Sequence, residues 1–251
     1  MSPVFRCPPL VEALCEFQFE PDQEWDWTLP GLLWTKLGAD RYPHKEQQNI
    51  LQWTMHLGGQ DADERVKETK EGPARMRFVN GERTRIVQVG PDLLAVNCVT
   101  DYPGWERFRE WILDVLDQYV ALSHPKAIRR IGLRYINHIR VPHHKVEIED
   151  YLRAVPTVPE PVPQVFSPFV MRVQIPHEDA GALVILRSAS IPPGDFDGVV
   201  FLLDLDCMTL KGALTDLSDC RRWIEGAHEV VETTFETCLG PKSRALFEEV
   251  R

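Results

Sequence analysis

In the stretch RRIGLRYINHIRVP, residues 129–142, Arg130, Arg134, His138 and Arg140 all fall on even positions. Alternate residues of a β-strand share a face, so these cations would line one side of a strand together with Gly132 and Ile136. Arginine presents a planar fork of donors suited to carboxylate or phosphate, and the chemistry this suggests is the binding of an anion. The opposite side, Ile131, Leu133, Tyr135, Ile139 and Val141, is core-like except for Asn137. A buried amide without partners is costly, so Asn137 needs a backbone group in a neighbouring loop or a ligand.

A second strand mirrors the first with the charge reversed. Over residues 11–20, Val11, Ala13, Cys15, Phe17 and Phe19 face one way, and Glu12, Leu14, Glu16, Gln18 and Glu20 the other. If the two strands are neighbours, Arg134 and Arg140 face Glu16, Glu12 or Glu20, and each cross-strand pair contributes roughly 0.2–1 kcal/mol. The stripe then fixes register. In the alternative, part of it stays unpaired and Arg134, Asn137, His138 and Arg140 line an anion site between two halves of the chain.

Other chemistry finds less support. His143 and His144 follow His138, but adjacent histidines on a loop rarely reach one ion, and no carboxylate or thiol stands at ligand spacing, so no metal is expected. Asp204 and Asp206 share a strand face and would hold Mg²⁺ only with a third carboxylate. Pairing with Arg187 or Arg172 is the simpler expectation. No G-x-S-x-G and no phosphate-binding glycine loop occurs. The six cysteines include no C-x-x-C, and Cys15, Cys207 and Cys220 lie in apolar patterns as small hydrophobes. No catalytic residue and no cofactor is expected, although acid–base pairs assembled from distant strands leave no linear trace.

The elements that must position these residues are legible. Trp105, Phe108, Trp111, Ile112, Val115, Leu116 and Tyr119 recur at helical spacing and predict a helix over about 103–122. Leu217, Cys220, Trp223, Ile224, Ala227, Val230, Val231 and Phe235 predict another over about 216–238, stopped by Gly240 and Pro241. The helices superpose at an offset of 112 residues, and ALCEFQF lies over IGLRYIN. Each of those strands precedes a short helical segment, about 29–38 and 147–154. Strands are predicted near 49–57, 74–80, 84–90 and 93–99, and again near 166–176, 181–191 and 198–207. Their short connections mean antiparallel meanders. The expectation is an α+β protein of two similar β-α-β-β-β-α halves, 1–125 and 126–251, packed as one compact unit with a long helix covering the sheet of each. An insertion is expected at 62–73, and the proline-rich run 155–168 reads as a stiff strap or a docking peptide. Trp25 and Trp27 alternate with charged residues, as a binding surface would.

With 38 acidic against 28 basic residues and a net charge of -10, the chain repels polyanions, which makes nucleic acid an unlikely partner. The most apolar run, GVVFLLDLDCMTL, is interrupted by Asp204 and Asp206, so no membrane span is expected, and with no secretory leader the expected location is the cytoplasm.

PPLVEALCEFQFEP with the following LPGLL, and RRIGLRYINHIRVP with the following EDYL, resemble the signature regions of a sporadically distributed family of uncharacterised bacterial and archaeal proteins of about this length. The resemblance spans essentially the whole chain. It implies a stand-alone prokaryotic protein with the patchy distribution of accessory, defence or toxin–antitoxin genes, and it transfers no catalytic residue. The functional expectation is therefore a protein-interaction or regulatory module, such as an antitoxin, immunity or defence-type accessory component, whose partner is another protein. The alternative is a small anionic-ligand-binding protein or enzyme with a site between the halves.

Overall fold

Alternation of apolar and polar side chains over 10–20 and 127–141 produces the two central strands of a nine-stranded sheet in which every neighbouring pair is antiparallel. The computed structural model describes residues 4–22, 24–53, 69–164, 168–210 and 217–250. The strands are β1 (Val4–Phe5), β2 (Leu10–Glu20), β3 (His44–Trp53), β4 (Thr69–Val79), β5 (Arg85–Gly90), β6 (Leu93–Val99), β7 (Ala127–Val141), β8 (Val170–His177), β9 (Ala182–Ile191), β10 (Val199–Thr209) and β11 (Glu249–Val250). The helices are α1 (Leu29–Leu37), α2 (Trp105–Ser123), α3 (Leu217–Cys238) and α4 (Ser243–Leu246), with single 3-10 turns at Ile148–Asp150 and Glu178–Ala180. The fold is α+β, as expected.

The strand order is β3-β4-β5-β6-β2-β7-β10-β9-β8, and β1 pairs with β11 in a separate two-stranded ribbon. Outward from the central β2–β7 pair, the first part of the chain continues through β6, β5, β4 and β3, and the second through β10, β9 and β8. The first part supplies one strand more than the β-α-β-β-β-α pattern allows. Its outermost strand begins at His44, where Lys45, Gln47 and Gln48 are exposed polar residues on a sheet edge, so composition alone reads that start as loop. Residues 54–57 of the predicted strand, and most of the predicted insertion at 62–73, lie outside the described residues; 69–73 belong to β4. The second short helix is reduced to the turn Ile148–Asp150. The approach to Pro156 disfavours helix at Val155, and Leu152 instead bridges to Leu239.

One apolar cluster unites both parts of the chain. Ala13, Cys15, Phe17 and Phe19 of β2, Ile131, Leu133 and Ile139 of β7, and Leu203, Leu205 and Cys207 of β10 are buried in it. From α2 come Phe108, Ile112, Val115, Leu116 and Tyr119, and from α3 Cys220, Trp223, Ile224, Ala227 and Val231. These belong to the predicted stripes, whose Trp105, Trp111, Val230 and Phe235 are only partly buried against the cluster, and each large apolar side chain fully buried among them stabilises the fold by about 1.5–3 kcal/mol. Helix α2 contacts β6 and α1, and α3 contacts β7 and β10. Trp111 Nε1 donates to the Tyr42 hydroxyl at 3.0 Å, closing the loop after α1 onto α2.

Candidate functional site

The even-numbered face of β7 is an ion-paired lattice. Arg134 donates to Asp204 twice, Nε to Oδ1 and Nη2 to Oδ2, both at 2.7 Å. Arg187 of β9 reaches Asp204 Oδ2 at 3.0 Å and lies 3.9 Å from Asp206. The pairing of these aspartates with Arg187 is thus as expected. That of Arg134 with a glutamate is not. Leu14 stands opposite Arg134, and Gly132 opposite Glu16, so Glu16 pairs with Arg130 at 2.6 Å. Glu12 instead accepts from Asn97 Nδ2 at 2.6 Å, and Asn97 accepts from Gln88 at 2.8 Å. Arg140 is exposed and stands opposite Val200, beyond Leu10↔Asn137, where the β2–β7 ladder ends, so no β2 glutamate can face it. His138 shares that face, half-buried, with burial and then Arg140 lowering its pKa below the ordinary histidine value.

Asn137 is separated from the other three. It is only 3% exposed, and its Nδ2 donates to the Leu203 carbonyl at 3.1 Å, a backbone group of the adjacent strand rather than of a loop. It points away from the cations and forms part of the wall of a cavity of about 580 Å³. That cavity lies where β2 and β7 meet the start of α2 and the middle of α3.

Three aromatic groups form a hydrogen-bonded chain in its wall. Tyr102 and Tyr135 hydroxyls are 3.2 Å apart, and the Tyr135 hydroxyl is 3.3 Å from His228 Nδ1. Trp105 stacks on His228 with centroids 3.9 Å apart and planes 11° from parallel. Its Nε1 donates to Glu225 at 3.1 Å, and Glu225 also pairs with Arg109. Burial raises the pKa of both tyrosines well above the ordinary value, so the hydroxyls stay protonated and remain available as donors. Glu106, Glu232 and Glu236 are among the residues that line the same space.

Burial lowers the pKa of His228 although Glu232, Glu225, Glu106 and Glu229 all act to raise it. The unfolded chain then binds a proton near the ordinary histidine value of about 6.5 that the folded chain resists. Its contribution to stability is whole above that pH and is lost as pH falls through it toward the folded pKa. The urea midpoint is expected to fall on acidification below about pH 6.5, and more gently in His228→Gln, with His138 supplying a residual slope. Identical slopes in wild type and variant would contradict the assignment.

Sequence reasoning found Asn137 but not Tyr102, Trp105, His228 or Glu232. The available signal was a polar pair one turn apart, His228 and Glu232, on the flank of the apolar stripe of α3. The buried thiols do not substitute as nucleophiles. Burial raises the pKa of Cys15 strongly, of Cys207 to about 12, and of Cys98 and Cys238 to about 11. Among the described residues no three His, Cys, Asp or Glu side chains gather where a metal ion could sit, and His144 pairs with Asp197 at 3.0 Å. Among the described residues no helix is long and apolar enough to cross a membrane. Compared with known proteins, the chain matches no family model and no curated sequence.

Proposed function

We propose that the protein is a recognition module of the regulatory or accessory kind, an antitoxin, immunity or defence-type component of the cytoplasm that works by binding another protein or a small ligand. The cavity at the β2–β7 seam is its binding site. The observation that carries this reading is the cavity itself, about 580 Å³ with an apolar lining, two tyrosine hydroxyls, a neutral imidazole and a buried amide converging on it. Ligand sites are built that way: a mostly apolar concavity with a few fixed polar groups. An internal duplication is part of the same proposal. The strand order read outward from β2–β7 supports it, with α2 and α3 as equivalent helices covering the two halves and the site at their junction.

The anionic-ligand alternative is weaker on electrostatic grounds. Arg134 is held by Asp204, the cationic stripe lies on the other side of the sheet, and the cavity wall carries carboxylates. The binding reading is tested by native mass spectrometry of the protein purified gently from its own host. The wild type should carry a stoichiometric protein or small adduct. Leu10→Trp, which adds an indole from a half-buried position in the cavity wall, should lose it while keeping its circular dichroism spectrum. A bare wild type, or an adduct retained by the variant, overturns the reading.

A further inference from the structure

We infer that the seam cavity takes a protonated amine or guanidinium carried on an apolar stem; this rests on the cavity being a binding site. The first argument is charge. None of the described residues lining it is lysine or arginine, while three are glutamates. Glu106 pairs with Arg109 at 3.4 Å and Glu236 with Arg244 at 3.7 Å, but Glu232 has no cationic partner among the described residues. It lies close enough to Tyr102, Tyr135 and His228 to act on the titration of all three. With the imidazole neutral and both phenols protonated, the formal charges among the described residues of the wall are all negative.

The second argument is an available acceptor. Asn137 is 97% buried by the complement of its 3% exposure, and its Nδ2 is committed to the Leu203 carbonyl. No described residue donates to its side-chain oxygen. The oxygen is not among the side-chain atoms shut away without a partner, so in the open cavity a ligand N–H can take the place of the solvent that otherwise donates to it. The third is the stacked Trp105–His228 pair, whose aromatic face attracts a cation within about 6 Å of the ring. The fourth is size. Phe5, Pro9, Leu10, Val231 and Phe235 would stay wet around a bare ammonium ion, whereas a hydrocarbon stem fills the space between them. An anion of the same shape would be set against Glu232 without a compensating cation.

The ligand chemistry has two sources, a free small amine or a lysine or arginine side chain presented by a partner polypeptide. Isothermal titration calorimetry at neutral pH and low salt separates them and tests the inference. The probes are phenethylamine, 2-phenylethanol and phenylacetate, of nearly one shape and three charges, with Nα-acetyl-arginine methylamide and Nα-acetyl-lysine methylamide as side-chain mimics. Phenethylamine or a capped cation is expected to bind at least tenfold more tightly than the alcohol, with no measurable binding of the acid. Glu232→Gln, nearly isosteric at a half-buried position, should weaken the cation at least tenfold and leave the alcohol unchanged. Capped amino acids binding more tightly than phenethylamine assign the site to a partner's side chain, and the reverse order assigns it to a free amine. Alcohol or acid binding as tightly as the amine overturns the cation inference while leaving the cavity as a site. No binding by any probe overturns both.

Discussion

Asp204→Ala is expected to destabilise the protein by ~2–4 kcal/mol, lowering the urea midpoint with little change in slope. Asp204 is 2% exposed and accepts three charge-assisted hydrogen bonds, two from Arg134 and one from Arg187. Removing one member of a buried pair costs about 3–5 kcal/mol because its partner is left charged and poorly solvated. Here the stranded guanidiniums are 33% and 30% exposed and recover some water, and Asp206 stays within 3.9 Å of Arg187, which sets the range lower. The double variant Asp204→Ala, Arg134→Ala should cost clearly less than the two single losses together, since the second change removes a group already left without its partner. Arg130→Ala gives the contrast. Its pair with Glu16 is 36% and 19% exposed, and its loss should cost under about 1 kcal/mol. Additive losses for Asp204 and Arg134, or an Asp204→Ala loss no larger than that of Arg130→Ala, would remove the lattice from the account of stability.

The same lattice marks where sequence reasoning stops. Adjacency of β2 and β7 entered only as a condition, suggested by two strands with matching apolar faces and opposite charges, and it is observed. The identity of the ion pairs did not follow, because it depends on register. Ladder irregularities between Leu10 and Glu12 and between Gln18 and Phe19 set which residues stand opposite. A long arginine then reaches diagonally, from a position opposite Asp206 to Asp204 two residues away. Helices α2 and α3 were legible because a 3.6-residue stripe is a local property. The cavity was not, since Tyr102, Tyr135, His228 and Glu232 come from three separated elements, and each reads alone as core or as solvated helix surface. Asn137 was the exception. A lone amide among apolar neighbours on a strand signals a polar environment from its own surroundings, although not what that environment holds.

Gly240→Ala is expected to cost about 4 kcal/mol, an effect that the glycine's role as a helix stop would not produce. Gly240 lacks the positive φ of a left-handed cap, so a side chain there meets no backbone strain. It meets the chain itself: a Cβ would lie 2.3 Å from the Asp150 carbonyl carbon, 2.4 Å from its oxygen and 2.4 Å from the Glu149 oxygen. Backbone cannot swing aside as a flexible side chain does. Either the turn at Ile148–Asp150 or the end of α3 must move, and the bonds between them go with it: Gly240 N–H to the Tyr151 carbonyl at 3.0 Å, Lys242 N–H to the Asp150 carbonyl at 2.8 Å, and Arg153 N–H to the Cys238 carbonyl at 2.8 Å. Overpacking of about 1–3 kcal/mol combines with the loss of one or two hydrogen bonds at roughly 1 kcal/mol each. Gly226, inside α3, supplies the control, because a Cβ there meets nothing within 4 Å and Ala is the better helix former. Gly226→Ala should stabilise by roughly 0.5–1 kcal/mol, so the two alanines should move the midpoint in opposite directions. If both shift it upward, Gly240 is only a helix stop, and the contact between the 148–152 turn and the end of α3 is looser than these distances require.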